Sequence, residues 1–170
     1  MEIRTLFGLP AHPLLVHVPI VLLPLVGIGA IAIAVSARAR ERFGLLTLVL
    51  AGMAFLGTLL AAGSGETLVD SVQSSAALRE HVDLAGTMRP LALLLLVAVG
   101  AVVFLDRRHR SGTPAPRGAS LAAAVLAIAL AVGTNGWLVA VGHNGAEATW
   151  QNVHLDGGGG DQGPSTTSGG

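Results

Sequence analysis

Apolar residues along this chain come in long uninterrupted runs, with neither the period of a helix that has one wet face nor the alternation of a half-buried strand. Four runs approach the roughly 20 residues that a helix needs to cross a hydrocarbon core about 30 Å thick. They cover residues 14–36, 43–62, 90–105 and 118–141. The third is short, but the stretch SSAALREHVDLAGTMR before it has helix-forming composition and extends it outward, as one helix from about Ser75. Pro19 and Pro24 fall inside the first run; a membrane helix tolerates them with a kink, because neighbouring groups re-satisfy the freed carbonyls. The pattern predicts an all-α fold, an integral membrane four-helix bundle formed by residues 1–154. The stretch 155–170, rich in Gly and Ser, has nothing to bury and is expected to be a disordered tail. Apart from two helix pairs of similar layout, no repeat emerges.

Composition agrees with a membrane location. Of 170 residues, 52% are hydrophobic and 12% charged, with a mean hydropathy of +0.68, far from the quarter or so of charged residues in an average soluble domain. Lys plus Arg and Asp plus Glu both number 10, so no basic surplus is available to neutralise phosphates, and nucleic acid is not an expected partner. The lipid bilayer is. The absence of cysteine excludes disulfides, thiolate nucleophiles and cysteine-held metals.

Charge also orients the chain. Arg38, Arg40, Arg42, Arg107, Arg108, Arg110 and Arg117 occupy the connections after the first and third runs, while Arg4, Arg79 and Arg89 are left for the opposite side. The positive-inside rule then puts both arginine-rich loops in the cytoplasm and both termini outside. The first run is expected to be a retained span and not a cleaved signal. Its apolar stretch exceeds the usual signal core, and its basic residues follow it instead of preceding it.

On that topology the ionisable residues gather at one rim. His12 and His17 lie at the outer end of the first span, Glu66 follows the second, His81 precedes the third, and His143 and Glu147 follow the fourth; His109 is alone at the cytoplasmic side. His143, Glu147 and Trp150 share one helix face if the fourth helix continues past its span. Trp137 and Trp150 suit the lipid–water boundary, and Asn135 suits a hydrogen bond between helices. Ionisable groups at membrane depth are functional candidates, His17 foremost.

Two chemistries fit. A b-type haem takes two neutral imidazoles from facing helices, and the candidate axial ligands are His17, His81 and His143. A divalent transition metal such as zinc, copper or iron draws instead on His12, His17, Glu66, His81, His143 and Glu147. The alternative is a non-catalytic membrane scaffold or partner subunit whose histidines only organise the rim. Transport is weaker, because no charge lies at mid-membrane and no broken-helix pair is evident. Soluble-enzyme signatures are absent: Ser64 sits in GSGE and not in a G-x-S-x-G elbow, and no HExxH occurs.

The stretches AHPLLVHVPIVLLP, SGETLVDSV with LREHVDLAG, and GHNGAEATW together resemble an uncharacterised bacterial family of small multi-pass membrane proteins, catalogued as domain of unknown function 2231. The likeness runs over nearly the whole chain to about Trp150. It implies a four-helix domain in the bacterial cytoplasmic membrane, with His12, Pro13, His17, Pro19, Glu66, His81, His143 and Gly145 at the matching positions. Family members are sometimes joined to redox domains, which implies electron transfer and a redox partner or membrane subunit.

Overall fold

The computed structural model describes residues 5–6, 8–69, 75–113 and 116–150; the expected tail from residue 155 lies outside them. A two-residue antiparallel pair, β1 (Thr5–Leu6) and β2 (Leu9–Pro10), turns at Gly8 with φ 80°, a backbone angle that glycine adopts without Cβ strain. Six helices follow: α1 (Ala11–Leu15), α2 (His17–Val35), α3 (Ala37–Val69), α4 (Ala76–Gly86), α5 (Met88–Arg110) and α6 (Arg117–Trp150). Together they make four helical segments long and apolar enough to cross a membrane, Ala11–Val35, Ala37–Thr67, Ala76–Arg110 and Arg117–Glu147. The fold class expected from the apolar runs is the one observed.

Each segment breaks where its backbone loses a partner. Pro19 sits in the first turn of α2, where its missing N–H has no intrahelical acceptor anyway. Pro24 lies inside α2, which continues across it. The third segment is not one continuous helix from Ser75. It is interrupted at Thr87, because Pro90 cannot donate to the carbonyl of Gly86 four residues back, and its ring crowds that carbonyl. Ser75 caps α4 by accepting from the Leu78 N–H at 3.1 Å.

Between α2 and α3 only Ser36 is non-helical. Its backbone is extended (φ −127°, ψ 118°) and its N–H still donates to the Ala32 carbonyl, while its Oγ accepts from the Ala39 N–H at 3.2 Å. Arg40 then reaches back, donating from Nε to the Ile33 carbonyl at 2.7 Å and from Nη2 to the Ala34 carbonyl at 2.9 Å. A cation on the last carbonyls of a helix satisfies groups that have no partner in the helix itself. Asp106 on α5 lies 3.8 Å from Arg40 and 2.8 Å from Arg110, which also pairs with Glu41 at 2.7 Å. The arginine ends of α2, α3 and α5 are thus tied together.

The four long helices α2, α3, α5 and α6 form a ring in which α2 and α5 each pack on both α3 and α6. Small side chains line the middle: Ala30, Ala54, Ala92, Ala127 and Ala131 are buried against Leu23, Val26, Ile33, Leu95 and Val99. Small residues let helix backbones approach closely in lipid, where helices gain no hydrophobic driving force from packing together. Outward-facing positions are apolar as well, with Ile28, Val35, Leu121 and Val139 each more than two-thirds exposed. A helix apolar all round suits lipid contact outside and helix contact inside.

A close approach joins α2 and α6. Asn135 donates from Nδ2 to the Ala131 carbonyl at 2.8 Å and to the Leu23 carbonyl at 3.3 Å, and a Cβ at Gly27 would collide with that amide. Gly27→Leu therefore costs about 2–3 kcal/mol of stability through overpacking and loss of the interhelical bond. Gly133→Leu, at a position with nothing within 4 Å, stays within about 1 kcal/mol of the parent. Thermal unfolding of both variants in one detergent checks the difference.

Candidate functional site

The rim opposite the arginine-rich connections is built from α1, the end of α3, α4 and the end of α6. His12, the second residue of α1, projects onto α3. Its Nδ1 lies 2.9 Å from the Ala61 carbonyl and 3.4 Å from Ser64 Oγ. Its ring rests against Gly65, where a Cβ would come within 3.0 Å of His12 Cε1. His81 makes the same arrangement from α4 onto α6. Its Nδ1 lies 3.2 Å from the Val141 carbonyl, and its ring rests against Gly145, where a Cβ would come within 3.0 Å of His81 Cε1.

A carbonyl only accepts, so each Nδ1 carries the proton and donates it. In the neutral ring this leaves the lone pair on Nε2, and neither Nε2 has a hydrogen-bond partner among the described residues. The two imidazoles lie within electrostatic reach of each other. An imidazole held at one nitrogen by a main-chain carbonyl, with the other nitrogen free, is in the state in which histidine binds a metal.

The family model described as "Predicted membrane protein (DUF2231)" matches residues 8–155. The chain belongs to this family. No curated protein and no solved structure matches it.

In this DUF2231 chain the six rim candidates do not come together. His17 turns back on its own segment, its Nδ1 2.6 Å from the Pro13 carbonyl, and it is exposed. His143 is exposed. It precedes Gly145 by two residues, about 200° around a helix, so it points away from the face that receives His81. Glu66 follows Gly65 by one residue and turns outward to pair with Arg89 at 2.6 Å. Glu147 is exposed and makes no ion pair among the described residues. Among the described residues no three His, Asp or Glu side chains form a group able to hold a metal ion. Within the described residues, then, His12, His17, Glu66, His81, His143 and Glu147 are not gathered into one such group, and the two rings seated on glycine are those of His12 and His81.

Sequence reasoning missed Gly65 as a ring seat and the carbonyls of Ala61 and Val141 as partners. A weak signal was available, since a glycine in the last turns of α3 and of α6 each lies next to or near a glutamate, in GSGE and GHNGAE. Trp137, expected at the boundary, also ties α6 to α4, donating from Nε1 to the Leu84 carbonyl at 3.0 Å. The side chain of Trp150 lies outside the described residues. A depression of about 620 Å³ on the flank of α4 and α6, lined by Arg79, Asp83, Thr87 and Trp137 among others, takes in neither imidazole.

No residue of α4 is fully buried, so Trp137 and His81 are its main tethers. Trp137→Phe keeps the apolar ring and removes one donor worth about 1 kcal/mol. Amide hydrogen exchange across α4 should then quicken about fivefold, while exchange in α2 and α5 stays unchanged.

Proposed function

We propose that this chain is a membrane-embedded electron-carrying subunit whose histidine rim holds the iron of a b-type haem through His12 and His81. The observation that carries the reading is the pair itself. Two imidazoles come from opposite halves of one bundle, each held at Nδ1 by a neighbouring helix and neither with an Nε2 partner among the described residues. Ligand number favours haem over a bare ion. Zinc takes four protein ligands in structural sites and three in catalytic ones, whereas haem iron brings four nitrogens of its own and asks the protein for two. The side chains and glycines beside the two rings are small: Ala61, Ser64 and Gly65 at His12, and Gly145 at His81. The haem would supply one-electron chemistry; the chain supplies ligation, orientation and an apolar surround.

The distribution of arginine supports a cytoplasmic-membrane protein with both termini outside, so the rim faces outward and meets its redox partner or membrane subunit there. One observation favours a second reading. The same two imidazole–carbonyl bonds tie α1 to α3 and α4 to α6, which is a clasp that needs no ligand and fits a scaffold without redox chemistry.

An absorption spectrum of the detergent-purified chain, expressed with haem supply and recorded air-oxidised and then dithionite-reduced, separates the two. The haem reading expects a Soret band and sharp reduced bands at about one haem per chain, lost in His12→Ala and in His81→Ala and kept in His17→Ala and His143→Ala. A colourless, well-folded protein contradicts it and leaves the clasp.

A further inference from the structure

We infer that this chain is two copies of one membrane unit joined in tandem, and that the two-fold axis relating them passes through the histidine rim, making His12 with Gly65 and His81 with Gly145 the equivalent halves of one site.

Three independent features agree. The first is the packing pattern. Exchanging α1, α2 and α3 for α4, α5 and α6 leaves it unchanged: α2 on α3 becomes α5 on α6, α3 on α5 becomes α6 on α2, and α1 on α3 becomes α4 on α6. The second is the register of burial. Buried positions of α2 recur in α5 at a constant spacing of 69 residues, as in Pro19 and Met88, Leu23 and Ala92, Ala30 and Val99, Ile33 and Val102. Those of α3 recur in α6 at a constant spacing of 80, as in Thr47 and Ala127, Ala51 and Ala131, Ala54 and Thr134. The extra residues fall between Val103 and Ala127, where α5 runs on past its buried face and a longer turn leads into α6. The third is the rim, which enters through neither of the others. His12 and His81 stand at the same spacing of 69, and Gly65 and Gly145, like Ala61 and Val141, at the same spacing of 80.

Both units start at the histidine rim and turn at the arginine end, so they are parallel repeats and their axis runs along the bundle, normal to the membrane. A group from each unit near that axis necessarily faces its counterpart. This explains why two imidazoles 69 residues apart are each held at Nδ1 by a main-chain carbonyl of the last helix in their own unit. It also makes Gly65 and Gly145 matched positioning residues: each lets a ring lie against helix backbone, and a methyl group there would meet the ring at 3.0 Å and shift it by a few tenths of an ångström. The symmetry stands on the fold alone; that haem iron occupies the two-fold site rests on the reading given above.

Nitrogen-15 NMR of the full chain labelled at histidine, in detergent micelles, tests the inference without any substitution. His12 and His81 are expected to show one common state, protonated at Nδ1 and bare at Nε2. Gly65→Ala should then shift only His12, and Gly145→Ala only His81. In haem-loaded protein the two glycine variants should each weaken haem retention about tenfold, and by the same factor within about threefold, as for groups that orient a ligand. Different tautomers in the parent, or one glycine variant without effect beside a tenfold loss in the other, overturns the two-fold site. Matching tautomers in a protein that never takes up haem defeat the haem reading and leave the duplication standing.

Discussion

The structure depends on how a helix in lipid can meet another when both are apolar on every side. Burial of apolar surface supplies no preference there, since lipid tails are as apolar as leucine. What remains is close contact between backbones and the few hydrogen bonds that cross from one helix to the next. In the middle of the bundle the contact comes from alanine and from Gly27 under Asn135. At the rim it comes from an imidazole laid on glycine with its N–H on a main-chain carbonyl. Interhelical bonds of this kind average about 0.6 kcal/mol each in membrane proteins, so the pair fixes geometry more than it stabilises the fold.

The same bond prepares chemistry. By committing Nδ1 to a carbonyl, the bundle decides which nitrogen carries the proton, and the lone pair is presented at Nε2. In the proposed haem reading the fixed tautomer connects packing with function: the glycine that admits the ring also sets the direction of the lone pair.

The fold class was legible because four long apolar runs leave a membrane bundle as the structure that satisfies the backbone, and lipid contact follows from the apolar outer positions. The rim was legible only as a location. His81 was nominated for haem, but His12 entered only the metal set, because its partners Ala61 and Gly65 lie some fifty residues along the chain and no local spacing reveals them. His17 looked like the membrane-depth ligand; it is exposed, with its Nδ1 on the carbonyl one turn back in its own segment, and no neighbouring helix holds its ring. Glu66 looked like a ligand, and Arg89 from another helix claimed it. The duplication escaped because it relates apolar residues to other apolar residues at two different spacings, 69 and 80, and neither stands out in a chain that is 52% hydrophobic.

The central claim is that His12 and His81 act as one pair, and electron paramagnetic resonance of the oxidised, detergent-purified protein addresses it most directly. Two imidazoles on ferric iron give a low-spin signal, and removing either one converts the iron to high spin or releases it. The account predicts a low-spin signal in the parent and the same loss of it in His12→Ala and His81→Ala. An iron signal that survives both substitutions, or a parent protein that carries no low-spin iron, contradicts it.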